Sequence, residues 1–175
     1  MRLYYETHST STDNERGVAS GHSDPDLSNA GVGQAKELGQ RYRGIDLACI
    51  FCSDLLRARR TAEIAFEGRG VPVILDARLR ECDFGDLNGA PVAIVEVGRP
   101  DHVREPYPGG ESYAQVVDRV AAFLGDVVAS GDGPVLVIGH RATHHALEHI
   151  LNGAALDEVV TGPWGWRPGW KYELR

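Results

Sequence analysis

Three polar side chains in this sequence stand just past short apolar runs. His8 follows Leu3-Tyr4-Tyr5, Arg57 lies in SDLLRARR at the end of DLACIFCS, and His140 closes PVLVIG. Apolar runs of that length, bounded by polar residues, read as strands. Ligands of open α/β sheets bind beyond the carboxyl ends of such strands. One histidine after a strand is ordinary turn composition, but two histidines and an arginine at one sheet edge are hard to assign to packing. A neutral imidazole carries a lone pair near pH 7 and can attack phosphorus. Phosphoryl transfer then needs cations around the non-bridging oxygens and a proton for the departing alkoxide. Arg57 offers a planar fork matched to phosphate, and His140, when protonated, adds a second charge. Glu81 or Asp83, both in LRECDFGDLNG, is the candidate acid if its surroundings favour the protonated form.

The elements that would position these groups alternate along the chain. A helical pattern over about 29–42 has Ser28 as its N-cap. DLACIFCS reads as a strand, LLRARRTAEIAF as a helix and VPVILD as a strand, while residues 81–111, rich in Gly and Pro, read as mostly irregular. Ser112 and Gln115 form a capping box, after which Val117, Val120, Ala121, Leu124, Val127 and Val128 recur at helical spacing. PVLVIG is a fully apolar strand, ATHHALEHIL a helix and WKYEL a last strand. Strands separated by helices require crossovers, so the expected fold is α/β: a three-layer α/β/α sandwich with a mostly parallel sheet and helices on both faces. No linker or repeat interrupts it, so residues 1–175 are expected to form one domain.

Composition narrows the partners. A net charge of −7 argues against nucleic acid or an anionic membrane, and leaves a locally basic pocket for a small anion. The first residues hold no apolar stretch of signal-peptide length, so a cytoplasmic protein is expected. Cys49 and Cys52 have metal-pair spacing, but alternation along a strand puts residues three apart on opposite faces, and no second pair completes a site. His145 and His149 bracket Glu148 in HALEH, a pattern shared with some zinc peptidases, but nothing downstream offers a third ligand. One tryptophan of GPWGWRPGWKYEL could wall a pocket.

These segments together resemble the histidine phosphatase superfamily, the phosphoglycerate mutase-like proteins, over nearly the whole chain. THS stands where that family has Arg-His-Gly, with His8 matching the nucleophile. Asn14 matches a substrate-contacting asparagine, and SGHSDPDLSNAGVGQA, which contains Gly21, resembles the stretch that follows. SDLLRARRTA matches Ser-x-Leu-x-Arg-Ala-x-x-Thr-Ala and assigns Arg57 to phosphate; LRECDFGDLNG matches the proton-donor segment and selects Glu81; VLVIGHR matches the second histidine, His140. The resemblance implies a phosphomonoester hydrolase working through a phosphohistidine on His8. Arg57 and His140 would bind the phosphoryl group of a small phosphorylated metabolite and Glu81 would protonate the leaving oxygen, with neither cofactor nor metal. Asn14, Ser9, Gly21 and Arg141 complete the expected substrate-binding set. Thr7 replaces the family's first arginine, Ser9 a glycine, and Arg141 the glycine after the second histidine. Arg141 is expected to reach the pocket and take over the missing guanidinium's role. The rival expectation is a phosphate-binding or regulatory domain that lost catalysis at Thr7. Mutase activity fits less well, because the segment between Gly89 and Pro108 is short.

Overall fold

The structure is a computed structural model and describes residues 1–131 and 133–174. Five strands form the central sheet: β1 (Arg2–Thr7), β3 (Cys49–Cys52), β4 (Val73–Leu75), β6 (Val135–Gly139) and β7 (Trp170–Glu173). Their order is β4-β3-β6-β1-β7, and all pairings are parallel except β1 with β7. The expected α/β sandwich with a mostly parallel sheet is what forms.

Period-two alternation explains the layers. On β6, Leu136 and Ile138 pack with Tyr4, Ile50 and Cys52 against α2 (Asn29–Arg41) and α3 (Leu56–Ala65). Val135 and Val137 face the other way and pack with Leu3 and Tyr5 against α5 (Tyr113–Ser130) and α6 (Arg141–Asn152). β6 lies at the middle of the sheet with all five residues buried, which is why its sequence lacks any polar alternation. Cys49 belongs to one apolar layer and Cys52 to the other, and neither is in a disulfide.

Local signals set most element ends. Ser28 accepts from the Gly31 N–H and starts α2; Ser112 and Gln115 cap α5 reciprocally. The buried stripe of α5 is Val116, Val120, Phe123, Leu124 and Val127, while Val128 is exposed. The phase is therefore turned slightly from the expected one, because the aromatic Phe123 wins the inward position. The segment 81–111 departs furthest from expectation. It holds β5 (Ala90–Pro91), paired with β2 (Val18–Ala19) in a separate small sheet, and α4 (Val92–Gly98), which runs into a 3-10 turn at Arg99–His102. The sequence VAIVEVG is β-branched and lacks a side-chain N-cap, so neither propensity nor capping announces a helix. Short helices α1 (Thr12–Arg16) and α7 (Leu156–Thr161) lie where the sequence pattern predicts no element. Among the described residues, no helix is long and apolar enough to cross a membrane.

Candidate active site

The parallel register aligns the strand ends that matter. Thr7 pairs with Gly139 and Cys52 with Ile138. The ladder then continues one residue further, through His8 N–H to the Gly139 carbonyl and Ser53 N–H to the Ile138 carbonyl. His8, Ser53 and His140 therefore emerge side by side, and the first turn of α3 delivers Arg57 to the same edge. The His8 and His140 ring centroids are 5.0 Å apart.

His8 Nδ1 lies 2.7 Å from the Ser9 carbonyl oxygen. A carbonyl can only accept, so the ring proton is assigned to Nδ1 and Nε2 keeps its lone pair. Burial, with the charge of Arg57 behind it, lowers the His8 pKa to about 3. His8 is thus neutral across the physiological range, as a nitrogen nucleophile must be.

His140 is fully buried behind His8 and does not line the cavity. The Ser53 hydroxyl accepts from the Leu55 N–H and lies 2.8 Å from His140 Nε2, to which it can donate its own proton. That tautomer puts the ring proton on Nδ1, a buried atom with no partner among the described residues. Burial first, then Arg57, holds the imidazole well below its ordinary pKa. His140 is therefore a neutral imidazole, without the charge that protonation would add. Ser53 is a contributor that sequence reasoning passed over, although its place directly after a strand was visible.

Arg57 is 2% exposed, and its guanidinium donates from Nη1 to the Ser23 carbonyl and from Nη2 to the Gly21 carbonyl. Gly21 sits at φ 52°, and a Cβ there would lie 1.9 Å from Asn88 Oδ1. The Gly21 loop thus fixes Arg57 through its backbone.

Glu81 Oε1 accepts from the N–H groups of Cys82 and Ala142, at 2.8 and 3.1 Å. Its backbone carbonyl accepts from Arg119 of α5 and from His22. The neighbouring arginines are engaged elsewhere, Arg78 with Asp76 and Asp126, Arg80 with Asp54. Asp83, the other candidate acid, binds the Gly85 N–H and the Asn88 amide, contacts that together with His22 and Arg119 hold it below its ordinary pKa against its burial. Glu81 lines the main cavity and Asp83 does not.

That cavity has a volume of about 670 Å³. His8, Asn14, Gly21, Arg57, Glu81 and Arg141 all line it, as do Thr7, Trp164 and Trp166. Ser9 faces a smaller recess next to it, and its N–H donates to Thr61. Arg141 reaches the wall as expected, but its partners differ from expectation. Nη1 donates to Glu96, Nε donates to His145, and the group stacks over Trp164. His149 Nδ1 lies 2.7 Å from the Ala154 carbonyl, so the HALEH histidines have separate partners. Among the described residues, no group of three or more His, Cys, Asp or Glu is placed to hold a metal.

Close packing holds the loop that follows His8. A Cβ on Gly31 of α2 would lie 2.0 Å from the Thr10 carbonyl oxygen. Gly31→Ala is therefore expected to push the 8–11 loop outwards, costing about 1–3 kcal/mol by overpacking and lowering kcat as well. Chemical denaturation alongside kinetics checks both, and unchanged stability would show that the two segments can separate freely.

Residues 6–163 match the family described as histidine phosphatase superfamily (branch 1). Among curated relatives, a Hydrogenobacter thermophilus protein named "Putative phosphoserine phosphatase 2" is 31% identical over 166 residues, covering 90% of this chain and 82% of its own. A Salmonella choleraesuis protein named "Probable phosphoglycerate mutase GpmB" is 32% identical, covering 78% of this chain and 68% of its own. Among solved structures, YhfR of Bacillus stearothermophilus superimposes with a TM-score of 0.87 at 27% identity, over 99% of this chain and 91% of that one. A mycobacterial glucosyl-3-phosphoglycerate phosphatase in complex with VO3 gives a TM-score of 0.78 at 29% identity, over 90% and 85%.

Proposed function

The chain belongs to the histidine phosphatase superfamily, branch 1, and on that footing we propose that it hydrolyses small phosphomonoesters through a phosphohistidine on His8. The observation that carries the reading is the state of His8: neutral, with Nδ1–H tied to the Ser9 carbonyl, on the wall of a cavity that Arg57 also lines. In this reading, Thr7-His8-Ser9 stands for the family's Arg-His-Gly.

His8 Nε2 attacks phosphorus, forming the P–N bond as the ester P–O bond breaks. The Glu81 carboxyl gives its proton to the leaving oxygen, and the alcohol departs. Water then attacks the phosphohistidine, Glu81 takes a proton from it, and the P–N bond breaks to return neutral His8 and inorganic phosphate. Arg57 faces the non-bridging oxygens with a positive charge. The neutral His140 ring lies 5.0 Å from that of His8, one layer behind the cavity wall. Asn14 and Gly21 line the same space and complete the binding wall.

Phosphate release from a panel of phosphomonoesters tests the activity, with and without chelator. Binding of these esters with no turnover would instead favour the phosphate-binding domain. Glu81→Gln tests the acid. Hydrolysis of an alkyl phosphate should fall about 100-fold or more, while p-nitrophenyl phosphate, whose leaving group needs little protonation, should lose less than about tenfold. Equal losses on both would make Glu81 a positioning residue.

A further inference from the structure

Two arginines on the cavity wall take no part in the chemistry above. Arg99 follows α4, and Arg141 opens α6. Arg99 Nη2 and Arg141 Nη1 both donate to the same oxygen, Glu96 Oε1, at 2.6 and 2.7 Å. One carboxylate thus bridges two guanidiniums, and the cluster keeps a surplus positive charge.

Among the described residues, the groups in hydrogen-bonding or ring contact with the two arginines bring no negative charge beyond that of Glu96. His145 accepts from Arg141 Nε and is neutral, its pKa lowered to about 2 by burial and then by Arg141. Tyr113 lies under Arg99 and Trp164 under Arg141 as aromatic faces. Arg99 is only 6% exposed, yet its Nε has no partner among the described residues. A buried guanidinium with an unused donor and surplus charge is costly, unless the site is built to receive an anion. The cation acting on His8 is Arg57, whereas the charged groups acting on Arg141 are Arg99, then Glu96 and, last, Glu81.

We infer that Arg99 and Arg141 form a second anion subsite for an anionic group on the substrate's alcohol moiety, with Glu96 as its built-in competitor. The inference rests on the phosphatase reading for its first subsite, at His8 and Arg57. The chemistry it selects is a pair of anionic oxygens matched to guanidinium forks, as on a carboxylate or a second phosphate.

Three esters with one carbon chain test it: propyl phosphate, 3-phosphonooxypropanoate and propane-1,3-diyl bisphosphate. The wild type should prefer one or both anionic esters over propyl phosphate by about tenfold or more in kcat/KM. The larger preference tells carboxylate from phosphate. Arg141→Met should collapse that ratio. Glu96→Gln keeps an oxygen for both arginines but removes the competing charge. It should raise the ratio, a sign that loosened packing would not produce. Equal use of all three esters by the wild type, or a ratio unmoved in Arg141→Met, would overturn the subsite. Calorimetric binding of the same esters to His8→Ala reads the ratio without turnover. A protein that hydrolyses none of them yet binds the anionic ester selectively would end the phosphatase reading and keep the subsite.

Discussion

His8→Ala should lose nearly all turnover while remaining folded. His8 lies on the cavity wall, with Nδ1 held by a carbonyl only one residue away, so its removal leaves the β1–β6 ladder and both apolar layers in place. Losing a covalent nucleophile costs on the order of 10⁴- to 10⁶-fold in kcat, because what remains is binding and electrostatics. A quench at neutral or alkaline pH during turnover should trap one acid-labile phosphate per chain on the wild type and none on the variant. Binding of inorganic phosphate should persist in His8→Ala, since Arg57 is fixed by the Gly21 and Ser23 carbonyls rather than by His8. If the variant kept a tenth of the wild-type rate, the covalent route through His8 would be lost.

The parts of this site written in local sequence were legible, and those that depend on partners across the fold were not. Strand ends are local: an apolar run followed by His8, Ser53 or His140 announces a sheet edge, and parallel pairing does the rest. The capping box at Ser112 is equally local. Glu81 could be separated from Asp83 in the sequence only by resemblance. In the fold the difference is physical, since Asp83 is taken up by the Gly85–Asn88 turn while Glu81 faces the cavity and the first turn of α6. The neutral state of His140 is not legible in its sequence neighbours, which do not reveal complete burial beside Arg57. Arg141 was recognised as unusual, but its partner Glu96 lies 45 residues away on a helix that the β-branched sequence disguised.

The same burial that makes the histidines useful should make the fold sensitive to acid. His8, His144 and His145 have pKa values lowered to about 3, 4 and 2, and His140 lies well below its ordinary value; burial is the largest cause in each. In the unfolded chain each returns to about 6.5 and binds a proton below that pH, while the folded chain stays neutral. Protonation therefore favours unfolding, and stability falls as pH drops from about 7 towards 4. Between pH 7 and pH 5 each of His8, His144 and His145 withdraws about 2 kcal/mol, a sum comparable to a typical domain's whole stability of about 5–15 kcal/mol, and His140 acts in the same direction. Asp76, Asp83 and Glu148, whose pKa values are lowered, give up their contributions only further down, near and below pH 4. Glu6 works the other way: burial raises its pKa despite its contacts with Arg41 and Tyr42, so it resists acid slightly. Urea unfolding at pH 7, 6 and 5 should thus show a fall of several kcal/mol, well under way before the carboxylates begin to titrate. His145→Gln should flatten the slope by about one proton's worth, roughly 1.4 kcal/mol per pH unit below pH 6. Equal stability at pH 7 and pH 5 would mean that these rings accept protons in the folded state, and the neutral His8 on which the nucleophile assignment rests would go with them.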